Sequence, residues 1–132
     1  MKYMLDTNIC IYIIKKNPPE IVNKFDSIAV GDIAISSVTL SELTYGVEKS
    51  QFPKKNQAAL EEFILPLDIL AFDDTASYHY GPIRAYLEKN GKPIGSLDLM
   101  IAAHARSVDM TLVTNNVAEF SRVPELKIEN WV

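Results

Sequence analysis

A chain of 132 residues has the size of one compact domain, and its content of 48% hydrophobic and 23% charged residues excludes a disordered chain. The formal net charge of −4 excludes a protein that grips nucleic acid through overall positive charge, so any such binding must rest on a local patch. With Cys10 as the only cysteine and the apolar run 9–14 too short to cross a bilayer, we expect a single domain over residues 1–132, without disulfide or membrane segment, in the cytoplasm.

Short apolar runs predict strands, and apolar residues at helical spacing predict helices between them. We expect strands at 2–5, 33–36, 69–72 and 111–113, and an edge strand near 126–128. Helices are expected at 7–16 and 17–27, from about 40, after 53, through 76–87 and at 97–106. Within the helix through 76–87, Pro82 marks either a kink or the start of the helix. Parallel neighbours need long crossover connections. The alternation therefore predicts an α/β fold of three layers, α/β/α, around a mainly parallel sheet of four to five strands.

Acidic residues follow the predicted strands or open the helices after them. Asp6 comes directly after the first strand, Glu42 is expected in the first turn of the helix after the second, and Asp98 opens a later helix. Asn116 and Glu119 come after the fourth strand. Because open α/β sheets bind ligands at the carboxyl ends of their strands, these side chains can converge on one pocket.

Carboxylates gathered in one pocket repel each other and raise each other's pKa unless a cation is present. Mg²⁺ takes oxygen ligands, usually one or two carboxylates with waters and substrate phosphates, and Mn²⁺ accepts similar sites. On a phosphodiester such an ion activates water and orients the phosphate. The chemistry that fits is hydrolysis of a phosphodiester bond.

Each principal acid also has a purely structural interpretation as a helix cap. Thr39 and Glu42 fit a capping box, and local evidence favours that interpretation for Glu42. Asp6 fits an N-cap, and Asp98 fits an acid in the first turn after an N-cap at Ser96. Local evidence leaves both of these undecided; only the joint placement of the three acids favours a common site.

Four segments carry a resemblance to a known family. In order they are Met4-Leu5-Asp6-Thr7-Asn8; 36–43 with Tyr45-Gly46; 95–105, which reads Gly-Ser-Leu-Asp-Leu-Met-Ile-Ala-Ala-His-Ala; and Thr114-Asn115-Asn116 followed by Glu119-Phe120. Each segment alone is weak. Together they cover essentially the whole chain, which resembles the PIN-domain ribonucleases and, among them, the VapC toxins of bacterial toxin–antitoxin pairs.

The resemblance implies site residues. Asp6, Glu42 and Asp98 match the acidic set that binds Mg²⁺ or Mn²⁺ in the family. Asn116 stands where many relatives have aspartate, which leaves Glu119 as the nearby acid for a fourth position. The implied supporting residues are Thr114, which would bond to an active-site carboxylate, and Thr7 or Asn8, which would help to place Asp6.

The resemblance also implies a metal-dependent endoribonuclease that cuts transfer RNA, with the anticodon stem-loop of the initiator species as substrate. It implies a VapB-type antitoxin as partner, a toxin homodimer and a hetero-oligomer of the two proteins. Two other hypotheses stay open on the sequence. One is a receiver-like phospho-accepting domain, since clustered acids at strand ends also suit aspartyl phosphorylation, and the other is a non-catalytic partner-binding module whose acids only cap helices.

Overall fold

The computed structural model describes residues 2–132, which form seven α-helices and five strands. The strands are β1 (Tyr3–Leu5), β2 (Ile33–Ser36), β3 (Asp68–Leu70), β4 (Thr111–Val113) and β5 (Ile128–Glu129). The helices are α1 (Thr7–Lys15), α2 (Pro19–Ser27), α3 (Ser37–Glu48), α4 (Pro53–Ile64), α5 (Asp74–Lys89), α6 (Ser96–Ser107) and α7 (Val117–Phe120). None of the helices in this described part of the chain is long and apolar enough to span a membrane.

The five strands form one parallel sheet in the order β3-β2-β1-β4-β5. Tyr3 of β1 pairs with Ile33 of β2 on one side and with Thr111 of β4 on the other. The chain adds strands outward from β1 to β3 and then returns to the opposite side of β1. This reversal makes the carboxyl ends of β1 and β4 the position at which an open α/β sheet binds ligands.

Helices cover both faces of the sheet, so the predicted three-layer α/β/α fold is confirmed. Successive strand residues point to opposite faces, and the neighbours Met4 and Leu5 accordingly belong to different cores. Leu5 packs with apolar residues of α1 to α4, which include Ile9, Ile21, Leu43 and Leu60. Met4 packs with residues of α5 to α7, which include Ile83, Leu87, Ile101 and Phe120. Cys10 is buried in the first core, as a small apolar side chain would be.

The start of α3 differs from the prediction. The helix begins at Ser37, about three residues earlier than expected, because Ser36 is its N-cap and accepts a hydrogen bond from Val38 N at 3.1 Å. Thr39 is therefore a fully buried residue inside the helix, and the predicted capping box of Thr39 and Glu42 is wrong. Glu42 lies in the second turn, where no orphan backbone donors need it.

Other boundaries shift by a few residues. The third strand ends at Leu70 rather than at 72, and the last strand lies at Ile128–Glu129. Pro82 lies inside α5, so it does not mark the start of that helix. The N-cap of α6 is Gly95 without a side-chain bond, so the predicted cap at Ser96 is wrong and Asp98 is the third residue of the helix.

Candidate active site

Asp6 lies at the switch point of the sheet, directly after β1. Its backbone N–H donates to Val113 O of β4 at 3.0 Å, and its Oδ1 accepts from Ile9 N at 2.9 Å, so it is the predicted N-cap of α1. The side chain is only 4% exposed. Burial raises the pKa of Asp6, bonds from the Thr114 hydroxyl and Ile9 N–H lower it, and the charge of Glu42 raises it again. Asp6 thus caps a helix, and its pKa is also raised by the charge of Glu42, an acid from a distant part of the chain.

Glu42 reaches the same place from α3. Its Oε1 accepts a hydrogen bond from the Thr7 hydroxyl at 2.7 Å, a contact between residues 35 positions apart. Thr7 directly follows Asp6, so this bond holds the Glu42 carboxylate beside the end of β1. Thr7 is predicted to help place Asp6, but the bond that its hydroxyl makes goes to Glu42 instead.

Asp98 approaches from the N-terminus of α6 and is partly buried. Burial raises the pKa of Asp98 to about 6, and the charges of Glu119, Glu42 and Asp6 add to the effect in that order. The other three site carboxylates, those of Glu119, Glu42 and Asp6, are therefore close enough to Asp98 for their charges to raise its pKa. A cap that only complements a helix dipole would not bring three other acids close to it.

The remaining residues of the site, Thr114, Asn116 and Glu119, follow β4 in the chain. Thr114 is fully buried; its hydroxyl bonds to Asp6 and accepts from Asn116 N at 2.9 Å. The Asn116 amide donates from Nδ2 to Oε2 of Glu119 at 2.6 Å. Asn116 thus holds the Glu119 side chain, and of these two side chains only Glu119 carries a charge. Asn8, the other predicted supporting residue, is exposed at the rim of the site next to Thr7.

The site has an excess of negative charge. Across residues 2–132, ion pairs within 4 Å join only Arg84 with Glu88 and Lys127 with Asp109, so the site carboxylates have no basic partner of this kind. In the same described part of the chain, no three acidic, histidine or cysteine side chains lie close enough to enclose a metal ion. An open set of this kind suits Mg²⁺, which usually takes one or two carboxylates and keeps several waters. The donor chemistry fits a hard divalent cation.

A buried polar pair behind the site, His104 and Ser36, was not predicted from the sequence. His104 Nδ1 and Ser36 Oγ are 2.7 Å apart and 68 residues apart in sequence, and His104 is 1% exposed. Burial lowers the pKa of His104, partly opposed by the charge of Asp73. The pair joins α6, which carries Asp98, to the N-cap of α3, which carries Glu42. The one signal in the sequence for this capping role is the position of Ser36 as the polar last residue of an otherwise apolar strand.

Comparisons with known proteins give matches over almost the whole chain. Residues 3–126 match the model of the PIN domain family. The chain is 51% identical to "Ribonuclease VapC2" of Haemophilus influenzae over 100% of its own length and 99% of the relative's. It is 50% identical to the "tRNA(fMet)-specific endonuclease VapC" of Shigella flexneri, with 99% and 98% of the two chains covered. Among solved structures, a chain of VapBC2 from Rickettsia felis bound to a promoter DNA fragment aligns with a TM-score of 0.95 at 47% identity, covering 100% of both chains.

Proposed function

Since this chain belongs to the PIN-domain family and to its VapC ribonucleases, we propose that it is the toxin of a toxin–antitoxin pair and hydrolyses phosphodiester bonds in RNA. One observation carries the proposal: at the switch point of the sheet the charges of Glu119, Glu42 and Asp6 each raise the pKa of Asp98, and in residues 2–132 no ion pair within 4 Å joins a basic side chain to these acids. Such an arrangement destabilises the fold unless a cation binds it. Binding of a metal ion for catalysis explains why the protein keeps these acids together despite that cost.

Asp6, Asp98 and Glu42 would hold the metal, Mg²⁺ or Mn²⁺, with one or two of these carboxylates as direct ligands and the rest bonded through its waters. The chemistry supplied by the bound ion is activation of the attacking water and neutralisation of charge on the phosphodiester. The chain's own hydroxyls fix the ligands: Thr114 orients Asp6, and Thr7 orients Glu42. Supporting bonds of this kind set the direction of carboxylate lone pairs and are as much a part of a metal site as its ligands.

Glu119 takes the fourth acidic position in this proposal, with Asn116 as its support. After burial, the charge of Glu119 has the largest effect on the pKa of Asp98. The Asn116 amide donates a hydrogen bond to Glu119 and does not replace it as an acid. Asn116→Asp would therefore place a further negative charge beside Glu119 instead of restoring a missing ligand.

The substrate is transfer RNA, cut once in the anticodon stem-loop of the initiator species; the S. flexneri relative, which is 50% identical, is named as an endonuclease specific for tRNA(fMet). The partner is a VapB-type antitoxin, and the toxin acts in the cytoplasm as a homodimer that the antitoxin joins in a hetero-oligomer.

An apolar groove of about 370 Å³ between α1, α3 and α4, lined by Ile14, Leu43, Val47 and Leu60 among others, offers an antitoxin segment a surface beside the acids. An arginine of that segment would pair with the carboxylates.

The test is a digest of total transfer RNA and of ribosomal RNA by the purified protein, with Mg²⁺ and with chelator, followed by mapping of the cut ends. We expect one cut in initiator transfer RNA that chelator abolishes. Asp98→Asn should abolish it too, whereas Asp109→Asn, at an exposed acid that pairs with Lys127, should not. Cleavage of ribosomal RNA instead, or cleavage that chelator leaves intact, would contradict the proposal.

A further inference from the structure

An open cavity of about 670 Å³ adjoins the acids and plays no part in the chemistry described above. Its lining includes Thr7 and Glu42, which share the 2.7 Å hydrogen bond. Tyr45, Lys49 and Leu97 also line it. The cavity is therefore continuous with the active site and large enough to receive a group attached to the reacting phosphate.

Three residues of the cavity lining form one stripe along α3 and its C-cap, Lys49. Tyr45 and Lys49 follow Glu42 by three and seven positions, a spacing that places all three on the same side of a helix. Moving away from the strand ends, the stripe presents an acid, then an aromatic ring, then a cation. The Glu42 carboxylate already accepts a hydrogen bond from Thr7, so the ring of Tyr45 and the ammonium of Lys49 are the groups of this stripe that remain to bind a ligand.

Tyr45 and Lys49 are arranged as a pair. Tyr45 is 66% exposed, although it stands on a helix whose opposite side packs in the core through Leu43 and Val47. The Lys49 ammonium lies 4.9 Å from the centroid of the Tyr45 ring. This contact holds the lysine at the ring and limits the freedom of both side chains before any ligand arrives.

The charge pattern favours a nucleotide over an apolar occupant. Glu42 and the acids beside it repel a phosphodiester, so a substrate needs a cation within reach, and in a chain of net charge −4 that cation must be local. Lys49 lines the same cavity as Glu42. An exposed aromatic ring beside a cation is the combination that binds unpaired nucleotides, because every base offers a face for stacking and every phosphate a negative charge.

We propose that this cavity is a nucleotide subsite, in which an unpaired base next to the scissile phosphate stacks on Tyr45 while Lys49 contacts an adjoining phosphate. The inference rests on the proposed ribonuclease function and adds to it a specific requirement. The reacting bond must lie in a loop or single-stranded segment whose base can leave its neighbours and enter the cavity.

The experiment measures binding and cleavage of a fluorescently labelled RNA stem-loop with the anticodon-arm sequence of initiator transfer RNA. Binding is followed by anisotropy in chelator, which prevents cleavage, and KM and kcat are measured in Mg²⁺. Tyr45→Ala should weaken binding and raise KM about tenfold, the size expected for one lost stacking contact. Tyr45→Phe, which keeps the ring, should stay close to wild type. Lys49→Gln should lower the slope of log affinity against log salt by about 0.7, the value for one phosphate contact to a single strand.

Matched controls are Tyr78→Ala, at a tyrosine on α5 that is 78% exposed, and Lys55→Gln, at an exposed lysine of α4. Neither lines the cavity, and both should match wild type. Wild type that cuts RNA while Tyr45→Ala keeps its KM would overturn the subsite and leave the ribonuclease proposal standing. Wild type that neither binds nor cuts RNA would remove both proposals. Dissociation of a toxin dimer or loss of antitoxin binding in Tyr45→Ala, with KM unchanged, would assign the surface to a protein partner and also overturn the subsite.

Discussion

Two aspartates in this protein make the same local bond in different surroundings. Asp6 caps α1 through Ile9 N at 2.9 Å, and Asp73 caps α5 through Ala76 N at 3.0 Å. Asp6 is buried at the switch point of the sheet, where Thr114 bonds to it and Glu42 raises its pKa. Asp73 precedes a helix on the second face of the sheet, and its charge acts on His104 instead. A capping motif therefore cannot by itself separate a structural acid from a functional one; the fold around it does.

The largest expected difference between the two caps is in activity. Asp6→Asn keeps the shape and most of the cap but removes a charge that holds the metal, so RNA cleavage should fall on the order of a hundredfold or more. Asp73→Asn makes the same chemical change at the other cap, and cleavage should stay within about twofold. Initial rates on the stem-loop RNA at saturating Mg²⁺ measure both. Equal losses in the two variants would show that the comparison is wrong.

The hydroxyls that fix the carboxylates should have the next largest effect. Thr7→Val and Thr114→Val each remove one hydroxyl that bonds to a site carboxylate and should cost about 10- to 100-fold in metal affinity or activity. Thr44→Val, at an exposed threonine of α3 whose hydroxyl bonds to Ser41 O, is the control. Metal titrations of cleavage rate should shift to higher Mg²⁺ for the first two variants and stay in place for the third.

A smaller effect is expected at the structural cap. Asp73→Ala removes the side-chain acceptor for Ala76 N and should lower the free energy of unfolding by about 1 kcal/mol. Chemical denaturation at pH 7 measures this loss, which should be the same in chelator and in Mg²⁺ because Asp73 has no role in metal binding. A loss that disappears when Mg²⁺ is added would place Asp73 in the site instead.

Much of this architecture could be predicted from the sequence, because strand runs and helical spacing are local patterns. Glu42 shows where local patterns fail. Thr39 to Glu42 fits a capping box, yet Ser36 caps the helix, since the strand ends there and its hydroxyl also meets His104. The bond from Thr7 to Glu42 joins residues 35 positions apart and depends on how α1 and α3 pack, which no local pattern encodes. The metal-site interpretation of Glu42 came from the family resemblance and from strand-end placement, not from its neighbours in sequence.

The central claim, that these acids form a metal site rather than a set of caps, is tested most directly by the stability of Asp98→Asn. Because the folded-state pKa of Asp98 is raised to about 6 from 3.8, the fold binds that proton more tightly than the unfolded chain does. The stability it contributes is complete below about pH 3.8 and is lost as pH rises through 6. In chelator, Asp98→Asn should therefore be more stable than wild type at pH 7, by roughly 1 kcal/mol after allowance for solvent screening.

The measurement is thermal unfolding of wild type and Asp98→Asn between pH 4 and 8, in chelator and in millimolar Mg²⁺. We predict that the advantage of the mutant in chelator grows as pH rises to about 6 and then levels off. We also predict that Mg²⁺ stabilises wild type by mass action and the mutant much less. A mutant that is less stable than wild type in chelator at pH 7, as loss of a dipole-complementing acid would make it, and that responds equally to Mg²⁺ would contradict the account.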